Sequence, residues 1–180
     1  MKQVKIKVLL ELDKPSYCDF VISENDNLED LHFAILQAYQ FSGEQMASFY
    51  EVNEDWDILN EFPFVAIDPN YDGLLMKDIL CFQFFENVGN QLMYLYDYLN
   101  EWKFFIECIE INPEKSAKKT PLLTKRFGKI PNEHDKDISG IDAENILMNA
   151  ILGDEFEEDD EDDLFGSDNF DSIDDYEEYL

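Results

Sequence analysis

The stretch Tyr94–Ile111 limits the possible folds more than any other part of the chain. It reads Tyr-Leu-Tyr-Asp-Tyr-Leu-Asn-Glu-Trp-Lys-Phe-Phe-Ile-Glu-Cys-Ile-Glu-Ile, two runs of aromatic and branched residues about a polar break at Asn100–Glu101. Such side chains suit a pleated, half-buried surface, and two runs around a tight polar break predict a β-hairpin. In the second run Trp102, Phe104, Ile106 and Cys108 fall on one face, and Lys103, Phe105, Glu107 and Ile109 on the other. This hairpin is expected at the centre of the sheet.

The preceding chain supplies the other elements. Val4–Leu12 alternates apolar Val4, Ile6, Val8 and Leu10 with Lys5, Lys7 and Leu9. Lys14-Pro15-Ser16 is turn chemistry, because proline cannot extend a ladder. Tyr17–Ile22 is a second strand, so the chain starts with a hairpin. Asn27 is a strong helix cap before Leu28–Tyr39, where Glu29 and Asp30 complement the positive helix end. At a 3.6-residue period Leu28, Leu31, Ile35 and Tyr39 form an inner stripe flanked by Ala34 and Ala38. Met46–Val52 returns to strand character. Phe62–Ile67, interrupted by Pro63, reads as an edge strand or a loop. Leu74–Leu80 suits a short helix, and Phe82–Phe85 with Leu92–Tyr96 suits a further hairpin turning near Gly89. The expected class is α+β: a mostly antiparallel sheet, an N-terminal β-hairpin and one main helix packed on one face.

After Ile111 the character changes. Seven of the 13 basic residues lie between Lys115 and Lys136, punctuated by Pro113, Pro121 and Pro131. This predicts irregular chain crossing the surface. Asp142 would cap a helix over Ala143–Leu152 that ends at Gly153. Residues 154–180 hold 15 Asp and Glu and no Lys or Arg, a charge of -15. The remaining 27 acids of the body face all 13 bases. Like charges at the tail's density oppose compaction, so we expect a body over 1–153 and a disordered acidic tail over 154–180.

A net charge of -29 points to a basic protein partner and away from direct contact with nucleic acid or an anionic membrane surface. Cys18, Cys81 and Cys108 have neither zinc-ligand nor redox spacing and read as small apolar fillers. With no signal peptide and no apolar run of membrane length, a cytoplasmic location is expected. No phosphate-cradling glycine loop, nucleophile elbow or calcium loop is present, so no cofactor is expected.

Two places carry candidate chemistry. His32 falls on the inner helix stripe, where it is either a ligand or base, or a satisfied histidine packed between helix and sheet. Asp97 and Glu101, beside Trp102, are either a carboxylate pair for acid–base work or turn residues that bind backbone amides. In the tail, Phe156, Phe165, Phe170, Tyr176 and Tyr179 stand among acids as anchors for folding on a partner.

Three motifs in order carry a family resemblance. They are Leu10-Glu11-Leu12-Asp13-Lys14-Pro15, then Leu28-Glu29-Asp30-Leu31-His32-Phe33-Ala34-Ile35 followed by Phe41 and Phe49-Tyr50-Glu51, then Tyr96 through Phe104. With these the body, over about residues 3–130, resembles the plasmid pRiA4b ORF-3-like family, whose members include passenger proteins of mobile elements. The acidic tail lies outside that stretch. The resemblance implies a fold and no defined activity. The family's usual Trp-Arg pair after the proline turn is here Cys18-Asp19, its His-Leu pair after the helix is Gln45-Met46, and Gly, Asp and His of the third block are Leu99, Asn100 and Phe104.

The expected function is therefore a non-enzymatic interaction or accessory protein whose acidic tail engages a basic partner. The alternative is a hydrolase or nuclease-like enzyme using Asp97, Glu101 and His32 with a divalent metal, which requires those side chains to converge in one pocket. A third reading is an accessory factor that touches DNA through the basic loop.

Overall fold

Alternation on the second run of the Tyr94–Ile111 stretch becomes the middle strand of a seven-stranded sheet. The computed structural model describes residues 2–113 and 117–134. Within them lie β1 (Gln3–Leu10), β2 (Ser16–Ser23), α1 (Leu28–Tyr39), β3 (Ala47–Val52), β4 (Ile58–Pro63), β5 (Gln91–Tyr96), β6 (Trp102–Ile111) and β7 (Leu122–Phe127). The order across the sheet is β4-β3-β5-β6-β1-β2-β7, and every neighbouring pair is antiparallel. Among the described residues no helix is long and apolar enough to cross a membrane.

Helix α1 starts and stops where local chemistry dictates. The Asn27 side chain accepts from the Asp30 N–H at 2.8 Å, and the Asp30 carboxylate accepts from the Asn27 N–H at 3.0 Å. This reciprocal cap satisfies two N–H groups that the helix itself leaves open. At the other end Gln40 turns left-handed with φ 58°. No cation lies in the last turn of α1, and Arg126 of β7 supplies one by donating to the Ala38 carbonyl.

The helix covers one face of the sheet. Leu28, Leu31, Ile35 and Tyr39 are buried, as the stripe requires. They meet Val4, Ile6, Val8 and Leu10 of β1 and Trp102, Phe104, Ile106 and Cys108 of β6 in one apolar cluster. The Tyr39 hydroxyl donates toward the Val8 and Ser16 carbonyls at 3.3 and 3.4 Å. Burying a side chain of this size stabilises by about 1.5–3 kcal/mol. The three cysteines are buried and unpaired within this layer, as fillers.

Four expectations change. Phe82–Phe85 is not a strand: Cys81–Gln83 is a 3-10 turn, and Phe85 is fully buried in the apolar cluster. Leu74–Leu80 contains only a 3-10 turn, Met76–Asp78. The edge strand near Pro63 lies earlier than expected and ends at that proline, whose missing N–H suits an edge. The basic region is also not irregular throughout. Leu122–Phe127 pairs with β2 and forms the opposite edge. The expected helix over 143–152 and the tail over 154–180 lie outside the described residues, as do Lys115 and Lys136.

Candidate functional site

Because side chains alternate along a strand, the face opposite α1 is written by the residues between the core positions. Register aligns one from each strand into a row. Tyr50, Met93, Phe105, Leu9, Tyr17 and Phe127 follow one another from β3 to β7. All are half-buried or exposed, so an apolar band crosses the outer face. At the β4 end the Tyr50 hydroxyl donates to Glu61 at 3.2 Å. At the β7 end Tyr17 and Phe127 stack with centroids 5.2 Å apart.

The adjacent row is charged with alternating sign: Glu107, Lys7, Asp19 and Lys125, on β6, β1, β2 and β7. Opposite charges on facing strands attract and stabilise the sheet. Asp19 is buried 3.6 Å from the Lys5 ammonium and 3.7 Å from that of Lys7. The Lys7 ammonium also lies 4.1 Å above the Tyr17 ring. Contact with the Tyr17 hydroxyl raises the Lys125 pKa.

One residue reaches this face from a loop. In the β3–β4 turn the Asn53 side-chain oxygen accepts from the Asp55 and Asp57 N–H groups at 2.9 and 2.8 Å, and its amide donates to the Asp57 carboxylate at 2.9 Å. This frame holds Trp56 at φ 66°. A left-handed backbone costs a residue with a Cβ about 1–2 kcal/mol. It turns the indole onto the sheet, edge-to-face with Phe105 at 4.7 Å and 79°. Trp56, Phe105, Leu9, Lys7 and Glu107 then line an open cleft of about 420 Å³. That lies within the range of about 300–1,000 Å³ that suits small molecules. The Glu107 carboxylate makes no hydrogen bond or ion pair among the described residues.

The residues named from sequence lie elsewhere, and each has a structural occupation. His32 is 1% exposed. Its Nδ1 lies 2.7 Å from the Tyr94 hydroxyl, its ring stacks on Phe64 at 4.6 Å, and Nε2 is buried without a partner. Burial lowers its pKa to about 4, so the imidazole is neutral. Asp97 sits in the β5–β6 turn at φ 59°. Its carboxylate accepts from the Leu99 N–H, the Asn100 N–H and the Asn100 amide at 3.0, 3.3 and 2.7 Å. Glu101, at φ 49°, closes the same turn and pairs with Lys103 at 3.4 Å. No hydrogen bond joins His32 to Asp97, and among the described residues no group of three or more His, Cys, Asp or Glu is placed to hold a metal ion.

Trp102 leads to a residue that sequence reasoning passed over. Its indole N–H donates to the Glu133 carbonyl at 3.2 Å. The Glu133 carboxylate, almost fully buried, accepts from the Tyr96 hydroxyl at 2.6 Å and from the Ser42 N–H and hydroxyl at 2.6 and 2.8 Å. Burial would raise its pKa, but these donors outweigh that and lower it. The segment after β7 is thus strapped across the β5–β6 signature. In the sequence Trp56 stands among Asn53, Glu54, Asp55 and Asp57 with no apolar pattern around it, and nothing local marks its partner Phe105.

Against known proteins, a family model for the plasmid pRiA4b ORF-3-like protein matches residues 2–175. The chain belongs to the plasmid pRiA4b ORF-3-like family. The match of this pRiA4b ORF-3-like chain extends past the three motifs and takes in most of the acidic segment. No curated protein matches it. A similar solved structure is the crystal structure of a protein of unknown function from Methanosarcina mazei Go1, with TM-score 0.60 and 21% identity over 87% of this chain and 85% of that one. At that identity the pRiA4b ORF-3-like chain shares its fold.

Proposed function

We propose that this pRiA4b ORF-3-like protein is a non-enzymatic accessory protein of the cytoplasm that engages a basic protein through residues 154–180, with residues 1–153 as its folded body. The observation that carries this reading is the charge split: 15 acids without one base in the last 27 residues. Such a segment attracts a basic surface over a range set by the Debye length, about 8 Å at physiological salt. Phe156, Phe165, Phe170, Tyr176 and Tyr179 add apolar anchors that charge alone lacks. The family match reaching residue 175 supports treating the acidic segment as part of the same protein unit. The body supports the reading too, since His32, Asp97 and Trp102 hold the core, a turn and the Glu133 strap. The same acidity favours a protein partner over nucleic acid.

The test is affinity capture at low and high salt with three full-length baits: the natural chain, one with the acids of 154–180 changed to Asn and Gln, and one with the five aromatics changed to Ser. Basic partners should be lost from the amide bait and weakened on the serine bait. Recovery of the same partners by all three baits at low salt refutes the proposal.

A further inference from the structure

We propose that the cleft between Trp56 and Phe105 binds a free aromatic α-amino acid. The ring would sit against the two aromatic side chains, the ammonium on Glu107 and the carboxylate on Lys7. This goes beyond the acidic-segment reading and does not depend on it.

Four observations converge. First, the backbone of Trp56 is held left-handed at φ 66° by the Asn53 frame. Strain of this kind persists where the surroundings impose it, and it clusters at ligand sites. Here its product is an indole standing on a sheet face that α1 leaves open. Second, the indole and the Phe105 ring meet at 79°, which leaves a corner with one aromatic face and one aromatic edge. A third ring fits such a corner through the same offset and edge contacts that aromatic pairs prefer.

Third, the polar groups at the cleft carry one charge of each sign. Lys7 and Glu107 face each other directly on β1 and β6. Facing residues of an antiparallel pair have Cβ atoms about 4.5–5.5 Å apart. An α-amino acid carries its ammonium and carboxylate on one carbon, so one head group placed between the two strands presents a group to each side chain. A ligand with no ammonium would leave Glu107 facing it unpaired, and one with no carboxylate would leave Lys7 to Asp19 and the Tyr17 ring.

Fourth, both groups are ready to receive a ligand. The Glu107 carboxylate has no hydrogen bond or ion pair among the described residues. Lys7 is held by Asp19 at 3.7 Å and by the Tyr17 ring at 4.1 Å, both longer than a hydrogen bond. Its position is therefore fixed while its N–H donors stay available. The other wall, Leu9, is part of the apolar band and offers the ring a further apolar contact.

The experiment is a titration of the full chain with L-phenylalanine, read by the indole N–H signals in two-dimensional NMR. The chain has 2 tryptophans, so the Trp102 signal, bonded to Glu133, is an internal control. Trp56 should shift saturably at millimolar ligand or below, and Trp102 should not move. Trp56→Gly, which removes the indole and relieves the left-handed strain, should keep the fold by circular dichroism and abolish binding measured by calorimetry. Glu107→Gln should weaken L-phenylalanine at least tenfold and leave 3-phenylpropanoate unchanged. Lys7→Met should weaken L-phenylalanine at least tenfold and leave phenethylamine unchanged. The proposal is overturned if Trp56 shows no saturable shift, if both indoles move together, or if the three probes bind the natural protein equally well.

Discussion

Replacing His32 by glutamine removes the imidazole that the helix presses into the core, and the consequence depends on pH in a defined way. Glutamine keeps a polar group for the Tyr94 hydroxyl but cannot gain a proton. In the natural protein burial moves the His32 pKa from 6.5 to about 4. Between those values the unfolded chain binds a proton that the folded chain refuses, so stability rises with pH. The stabilisation from the neutral imidazole is complete above pH 6.5 and falls away as pH drops toward 4. Each pKa unit corresponds to about 1.4 kcal/mol, which makes the full span about 3 kcal/mol and the loss near pH 5 about 2 kcal/mol. Carboxylates titrate over part of the same range, but they do so in both proteins and cancel in the difference. The assay is urea unfolding of the natural protein and His32→Gln at about pH 7.5 and about pH 5. The natural protein should lose about 2 kcal/mol more than the variant on acidification. A difference below about 0.5 kcal/mol, or an imidazole carbon signal titrating near the ordinary histidine value, refutes the argument.

Other perturbations test the strap, the edge and the turn. Glu133→Ala strands the buried Tyr96 hydroxyl, while the exposed Ser42 can turn to water, so urea unfolding should give a loss of about 1–3 kcal/mol. Because Glu133 has a lowered pKa, its contribution is present above the ordinary glutamate value and disappears as pH falls through the folded one. Gly128 has φ 89°, and an added Cβ would lie 2.7 Å from Ser16 Cα and against the Pro15 carbonyl. Gly128→Ala should therefore lower the melting temperature and speed hydrogen exchange in β7 first, while the β5–β6 amides keep their protection relative to the global value. Asp97→Ala removes three acceptor contacts from the hairpin turn and should cost about 1–2 kcal/mol in urea unfolding.

Much of the architecture was legible where a local rule and a tertiary requirement agree. Helix α1 was bounded to the residue because Asn27 and Asp30 cap it reciprocally and its stripe is the one the sheet buries. The faces of β6 followed from alternation, and its central place from the density of large apolar side chains. The failures have physical causes as well. Phe82–Phe85 is apolar and aromatic at every second position, but Cys81 and Phe85 are buried as knobs under a loop, a role that a short apolar run does not distinguish from a strand. β7 escaped notice because all six of its residues are exposed, so no alternation marks it, and its Lys125 and Arg126 are the charges that edge strands use against unwanted pairing. The outer-face cleft was not legible at all. It joins Trp56 to Phe105 through register, which depends on how four strands align and on a left-handed loop residue. Glu133 likewise gains meaning only from Tyr96 and Ser42, far away in the chain.

The position of β1 also sets the order in which the chain can become a protein. β1 is an interior strand whose two neighbours are β2, next in sequence, and β6, which pairs Val4 with Ile111 and Leu10 with Phe104. During synthesis the first hairpin and α1 emerge with one flank of β1 unpaired, and that flank stays open until residues 102–111 have left the ribosome. Pairings between such distant segments are the slow step of β-rich folding, because the loop must close before any contact rewards it. Lys5 and Lys7 on β1 are thus more than members of a charged row: in the nascent chain they guard a waiting edge against pairing with another molecule.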